Sequence, residues 1–372
     1  MRAATRFITR LWAPAGVRGL AWMATAPLSV AYAGILAGRS AWWERFAQFP
    51  PLPTVSVGNL AIGGSGKTPF TLFLATRLQR SGVSVGIVSR GYGGEASRQA
   101  RLVSDGGYMG MTARQAGDEP VMLAKSFHGP VAVARRRMDA IKLLAANALA
   151  DAVVLDDGFQ HVRLRRDFDL VLINQSRGLG NGWLLPAGPM REPLSAVQRA
   201  DAVVLIETFG ANRAIDSASK IMCGLRILRA RLKPSALTFS ENGKWRVAPL
   251  ELNRKRVVAV SGVADSAGFH SMIRALGANL LGTLDYPDHY AYMSNDWKNI
   301  LAATRQCEML ITTEKDLVKL EGFRTPELPF CALHLDVTME AEEERQLLTL
   351  IMERIRHRPG ARSVQGGIHR WH

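Results

Sequence analysis

An α/β fold, with a mainly parallel sheet flanked by helices, is the architecture this sequence predicts. Three observations carry it. Short β-branched apolar runs alternate with stretches of helical period, a glycine-rich turn joins the first such run to the first such helix, and the alternation resumes after a break near residue 225. The chain has 372 residues, 47% of them hydrophobic, which is enough for more than one core. Its three cysteines, Cys223, Cys307 and Cys331, form no CxxC pair, so neither a disulfide framework nor a cysteine zinc site is expected. The net charge of +15 calls for an anionic partner: nucleic acid, an acidic membrane surface or a phosphorylated substrate. A solvated basic surface without function is the plain alternative.

The N-terminal segment, residues 1–49, contains the uncharged run "GLAWMATAPLSVAYAGILAG" from Gly19 to Gly38. Arg2, Arg6, Arg10 and Arg18 precede it, and Arg39 and Arg45 follow. A cleaved signal peptide is disfavoured because a phosphate-loop sequence follows soon after. Basic flanks on both sides, with Pro14 and Pro27 interrupting the run, predict a hydrophobic helix that dips into or lies along the cytoplasmic leaflet. Trp12, Trp22, Trp42 and Trp43 suit a membrane interface better than an ordinary buried helix.

From Pro50 the first α/β unit, residues 50–224, opens with "TVSVGNL" as a buried strand, the glycine loop, and a helix over 67–80 with Phe70, Phe73, Leu74 and Leu78 at helical spacing. "GVSVGIVS", "PVAVA", "DAVVLDD", "FDLVLIN" and "DAVVLIE" read as further strands, with a helix over 138–149. Residues 225–250 read as linking strands. A smaller α/β unit over 251–356 begins at "RVVAVSGVAD" and continues through the helix "AGFHSMIRALG" and the strand "CEMLITTEKD". The basic tail, 357–372, is expected to be disordered.

The glycine turn is specific. Ala61, Ile62, Gly63, Gly64, Ser65, Gly66, Lys67 and Thr68 fit the phosphate-loop pattern, with alanine in place of the usual first glycine. A strand before and a helix after make the fold one of P-loop NTPase type, binding ATP. Glycines let main-chain N–H groups turn toward phosphate oxygens at a helix N-terminus, Lys67 adds charge, and the Thr68 hydroxyl can ligate Mg²⁺. Asp156 and Asp157 end a strand, where carboxylates would face that ion. Asp118 and Glu119 open a helix in "GDEP", a pattern an N-cap alone would explain. Arg191 and Glu192, in "LLPAGPMREP", could neutralise phosphate charge and join the metal's outer shell. Asp288 and His289, in "LDYPDHYAY", could work as a base pair.

Taken in order, "SVGNLAIGGSGKTP", "SRGYGG", "GDEP", "DDGFQH", "LPAGPMREP", "PDHY" and "TTEKDLVKL" resemble the tetraacyldisaccharide 4'-kinase family of lipid A synthesis, from the hydrophobic N-terminus to about Leu320. The resemblance implies transfer of the ATP γ-phosphate to an acylated glucosamine disaccharide 1-phosphate, on the cytoplasmic face of a bacterial inner membrane. It implies Asp118 as catalytic base assisted by His289, with Lys67, Thr68, Asp156, Asp157, Arg191 and Glu192 around ATP and Mg²⁺. Because Asp118 and His289 lie in different units, the base is expected to assemble when the units close. A regulatory P-loop NTPase would share the loop and aspartates without needing "GDEP" and "PDHY". No RNA-binding or zinc module is visible, so nucleic acid is not an expected partner, and no obligate protein partner is evident.

Overall fold

The computed structural model describes residue 12 and residues 20–95, 99–210, 224–241, 244–323 and 329–358. After helix α1 (Leu20–Phe46) come β1 (Thr54–Asn59), α2 (Lys67–Arg80), β2 (Val85–Ser89) and β3 (Arg101–Ser104). Then follow α3 (Asp118–Ser126), β4 (Val131–Val133), α4 (Arg137–Ala146), β5 (Ala152–Asp156), β6 (Phe168–Asn174) and β7 (Ala202–Thr208). Strands β8 (Arg226–Glu241) and β9 (Lys244–Pro249) lie in the linking segment. The last unit holds β10 (Arg256–Ser261), α5 (Ser266–Ala275), β11 (Asn279–Asp285), α6 (Ser294–Ala303), β12 (Met309–Thr313), α7 (Glu314–Leu320), β13 (Phe330–Thr338) and α8 (Ala341–Arg356).

One sheet runs through both units in the order β11-β10-β12-β13-β8-β7-β6-β1-β5-β2-β4-β3. Most neighbours are parallel; β3 with β4, and β8 with β13 and β9, are antiparallel. The long strand β8 makes the continuity possible. Its first half pairs with β7 and its second half with β9, while β13 runs along its other edge. The linking strands read from the sequence therefore also weld the two units.

Both faces of the central strands are buried, which is why they read as unbroken apolar runs rather than alternating ones. In β6, Leu170 and Leu172 face the layer that holds Phe70, Leu74 and Leu78 of α2. Val171 and Ile173 face the opposite layer, with Leu60, Phe159 and Met190. Burying each such side chain stabilises the fold by about 1.5–3 kcal/mol. The phosphate loop thus follows a strand that is buried along its whole length.

Helix α1 packs on this second layer through Leu36, with Tyr32 and Ala33 beside it. The hydroxyl of Ser29, 2% exposed, donates to Leu184 O at 2.9 Å and accepts from Ala187 N at 3.0 Å. On its outer side Leu28, Val30, Ile35 and Trp42 are 59–68% exposed. Pro27 does not interrupt the helix, contrary to the sequence expectation. As the eighth residue it leaves the carbonyl four residues back without its N–H partner, and the Ser29 contacts hold the following turn. Among the described residues no helix is long and apolar enough to cross a membrane. Arg2, Arg6, Arg10 and Arg18 lie outside the described residues, as do 359–372 of the tail. Arg358, at the tail's start, is docked, with Nη1 3.1 Å from Asp167 Oδ2.

Candidate active site

Strand β1 delivers the chain into the loop, and the loop is held by main-chain and amide contacts. Ile62 N donates to Pro189 O at 2.8 Å and Arg191 N to Leu60 O at 2.7 Å, so the loop and the "GPMRE" segment lie side by side. Asn59 Nδ2 donates to Ala61 O at 2.5 Å and to Ser65 Oγ at 2.9 Å. Asn174 Nδ2 donates to Gly64 O at 3.3 Å. Gly66, the N-cap of α2, has φ 75°, a left-handed conformation that disfavours a side chain. Lys67 and Thr68 then open α2, beside the positive end of its dipole.

The two carboxylates after β5 differ sharply. Asp157 adopts φ 53°, a strained geometry for a non-glycine residue. Its carboxylate meets Lys67 Nζ at 3.6 Å and Arg191 Nη1 at 2.8 Å, and its carbonyl accepts from Arg137 Nη2 at 3.1 Å. Burial alone would raise its pKa, but Lys67 and Arg191 outweigh it and hold the group at about 2. Asp156, 2% exposed, accepts one hydrogen bond, from Thr71 Oγ1 at 3.2 Å. Burial, then the charges of Glu119 and Asp157, push it up to about 7. A buried carboxylate in that condition is poised to take a cation.

Mg²⁺ takes hard oxygen ligands and needs only one or two carboxylates when phosphate oxygens complete its shell. The Thr68 hydroxyl and the Asp156 and Asp157 carboxylates are donors of that kind, and among the described residues Asp156 forms no ion pair at contact distance; the residues fit the ion. Among the described residues no cluster of three or more His, Cys, Asp or Glu side chains could hold a metal without such help.

Glu192 has partners of its own. It is 2% exposed and forms ion pairs with Arg199 and, at 3.5 Å, with Arg39 of α1. The expectation that it belongs to the metal's outer shell meets a physical obstacle: two guanidinium groups already compensate its buried charge. Arg191, its neighbour, points instead to Asp157 and to Gln160 Oε1 at 3.3 Å.

At the other end of the site, Asp118 opens α3 and His289 rises from the "PDHY" loop with φ 58°. His289 Nδ1 lies 3.3 Å from Asp118 Oδ1. Gly117 keeps this corner tight: it has φ 94°, and a Cβ there would stand 2.6 Å from Tyr92 O. The Tyr92 ring lies 5.0 Å from the His289 ring, centre to centre. Asp118 is 7% exposed. Burial would raise its pKa, but the His289 hydrogen bond with Lys315 and Lys319 brings it to about 2. His289 is raised by its bond to Asp118, against burial and the Lys315 charge. The pair faces a cleft of ≈ 790 Å³ whose walls include Tyr92, Met109, Arg114, Lys125 and Tyr290.

Sequence reading missed Thr71, Arg137, Gln160, Lys315 and Lys319. Thr71 follows Thr68 at i+3 on α2, a spacing that could have flagged it. His161 of "DDGFQH" is held neutral, its pKa pulled to about 3 by burial and by Arg137, Arg166 and Arg163.

Comparison with known proteins identifies the family. The family model described as tetraacyldisaccharide-1-P 4'-kinase matches residues 21–356. The chain is 36% identical over 322 residues to tetraacyldisaccharide 4'-kinase of Syntrophus aciditrophicus (strain SB), covering 81% of this chain and 84% of that one. To the enzyme of the same name from Anaeromyxobacter dehalogenans (strain 2CP-C) it is 42% identical over 278 residues, 72% of each. The crystal structure of LpxK from Aquifex aeolicus, an "apo" form in complex with ATP, superposes with a TM-score of 0.72 at 31% identity. That match covers 89% of this chain and 98% of the other. The phosphate loop, the paired aspartates and the Asp118–His289 corner are thus carried by a chain that belongs to the tetraacyldisaccharide 4'-kinase family.

Proposed function

We propose that this chain transfers the γ-phosphate of ATP to the 4'-hydroxyl of a tetraacylated glucosamine disaccharide 1-phosphate, giving lipid IVA, with Asp118 as the base. Family membership supports the reaction, and the solved relative in complex with ATP supports the donor. The observation that carries the choice of base is the Asp118–His289 pair on the wall of a large cleft. Glu119, next in sequence, is close enough to perturb Asp156, so this corner adjoins the nucleotide end.

The chemistry follows from the residues. Lys67 and the loop amides bind the triphosphate, and Arg191 and Lys67 stand where charge builds on the transferring group. Mg²⁺, held by Thr68, Asp156 and Asp157, would neutralise phosphate charge. Asp118 is ionised throughout the physiological range and can accept a hydroxyl proton. A carboxylate of such low pKa is a weak base, which suffices when bond formation to phosphorus is largely dissociative and the proton leaves late. His289 orients it.

The acceptor class also accounts for α1. Each buried CH₂ holds an acyl chain in lipid by roughly 0.8 kcal/mol, so the enzyme has to reach the bilayer. The exposed Leu28, Val30, Ile35, Trp42 and Phe46 of α1, with exposed Phe49 beyond, offer a surface for it, and the +15 charge favours an anionic cytoplasmic leaflet. The test is direct: purified protein, radiolabelled ATP and the lipid disaccharide monophosphate in mixed micelles should give a labelled lipid. Release of inorganic phosphate with no labelled lipid would indicate a nucleotide-hydrolysing switch instead.

A further inference from the structure

The motif "TTEKD" at the start of α7 has entered so far only through the charge of Lys315, yet each of its side chains has a defined place. Thr312 Oγ1 donates to Val260 O at 2.8 Å. Thr313 caps α7 and donates to Asp316 Oδ2 at 2.8 Å. Asp316, fully buried, also accepts from Gly262 N at 2.8 Å. Glu314 accepts from Thr238 Oγ1 at 2.8 Å and lies 2.7 Å from His334 Nδ1. These contacts pin the first turn of α7 to β10, β8 and β13. They leave Lys315 and, four residues on, Lys319 on the side that meets the Asp118 corner.

Lys315 reaches three acceptors there. Its Nζ is 2.7 Å from Asp288 Oδ1, 3.2 Å from His289 Nε2 and 3.4 Å from Glu119 Oε1. An ammonium has three N–H donors and no acceptor, so the set is matched one to one. Facing that ammonium, Nε2 can offer only its lone pair, and the proton of a neutral imidazole then sits on Nδ1, 3.3 Å from Asp118 Oδ1. We propose that Lys315 is a positioning residue for the base: it caps Nε2 of His289, fixes the ring proton on Nδ1, and so keeps His289 a neutral donor to an ionised Asp118. The inference rests on the reading of Asp118 and His289 as the catalytic pair. On this arrangement the hydroxyl proton passes to Asp118 and from there to the new phosphate or to solvent, without relay through His289, because the far nitrogen of the ring faces Lys315.

The charged groups facing the ring are Asp118 from α3, Asp288 from its own loop, and Lys315 from α7. Lys319 Nζ, 3.6 Å from Asp118 Oδ2, acts on the partner carboxylate, and the Tyr92 ring covers the imidazole without charge. The two acids favour the imidazolium and Lys315 opposes it. Lys315 itself keeps its proton, since the surrounding carboxylates raise its pKa despite burial. Removing it leaves the acids unopposed.

The experiment is nitrogen-15 NMR of histidine-labelled full-length protein in micelles, with His289 assigned by the signal missing from His289→Asn. At pH 8 the wild-type ring should show Nδ1 protonated and Nε2 bare. In Lys315→Met, and in Lys315→Gln, which keeps a donor but not the charge, the ring should titrate higher by about one unit or more. The acidic limb of the kcat/KM profile should move up with it, while the KM for ATP stays put. Lys315→Arg should restore the wild-type pattern in part. A wild-type ring carrying its proton on Nε2 at pH 8, or an unchanged midpoint in the folded Met and Gln variants, overturns the proposal. The wild-type spectrum decides even if both variants fail to fold. If Asp118→Asn still phosphorylates the lipid at full rate while His289 responds to Lys315, the catalytic role of the pair is what fails.

Discussion

The nucleotide end and the base end of this site are built by opposite means. Around the phosphate loop the joints are main-chain hydrogen bonds and short amide bridges, such as Ile62 to Pro189, Arg191 to Leu60 and Asn59 to Ser65, anchored on central strands. Around Asp118 the joints are charged side chains from three separated segments: α3, the "PDHY" loop and α7. Main-chain joints hold their geometry under almost any side-chain change. Side-chain joints can part and re-form, which suits a corner that must admit a sugar hydroxyl and release a phosphorylated product. The β8 strand lets both kinds coexist by fixing the two units in one sheet while their loops meet above it.

Substitutions can break or sharpen this contrast. Asp118→Ala should have the largest effect, lowering kcat by about a thousand-fold while ATP affinity changes little, as for loss of a positioned general base. Single-turnover transfer to the lipid, beside nucleotide titration, checks it; a fall in ATP binding of equal size would mean the two ends are one unit. Lys67→Ala should damage both, with kcat and KM for ATP each worse by about ten-fold or more, since charge on the triphosphate is lost in ground and transition states alike.

Asp156→Asn should show the smallest change and the opposite sign in stability. Because burial and like charges raise Asp156 to about 7, its ionisation opposes folding. The unfolded group titrates near ~3.9, so the stabilising share is full below that value and is lost as pH rises through about 7. In metal- and nucleotide-free protein at pH 8, Asp156→Asn should therefore melt about 1 °C higher, roughly what 1 kcal/mol gives in a chain of this size. The gain should fade as pH falls toward ~4. A lower melting point at pH 8 would show that the carboxylate is satisfied without a cation.

What could be read from residues alone tracks this same contrast. The loop from Ala61 to Thr68 was legible because phosphate binding by main-chain amides demands glycines at fixed spacing between a strand and a helix, all within eight neighbouring positions. Asp156 and Asp157 were legible because a strand's last residues point to the crevice above the sheet. Glu192 was legible as a charged residue in a rigid loop and not in its partners: nothing local says that Arg39, far back in α1, and Arg199 meet it. Pro27 likewise read as a break because propensity is local, whereas the helix is held by Ser29 and Leu36 packing on residues some 150 positions away.

The sequence by itself determined the alternating fold, the phosphate loop and, through ordered motifs, the family, since these rest on short-range spacing and on backbone hydrogen bonding. Only the tertiary structure decided that the linking strand makes one sheet of both units, that Glu192 pairs with two arginines, and that α7 brings two lysines to Asp118 and His289. Ion pairs between distant segments leave no periodic trace along a chain, because their energy depends on distance and burial in three dimensions and on no neighbour in sequence.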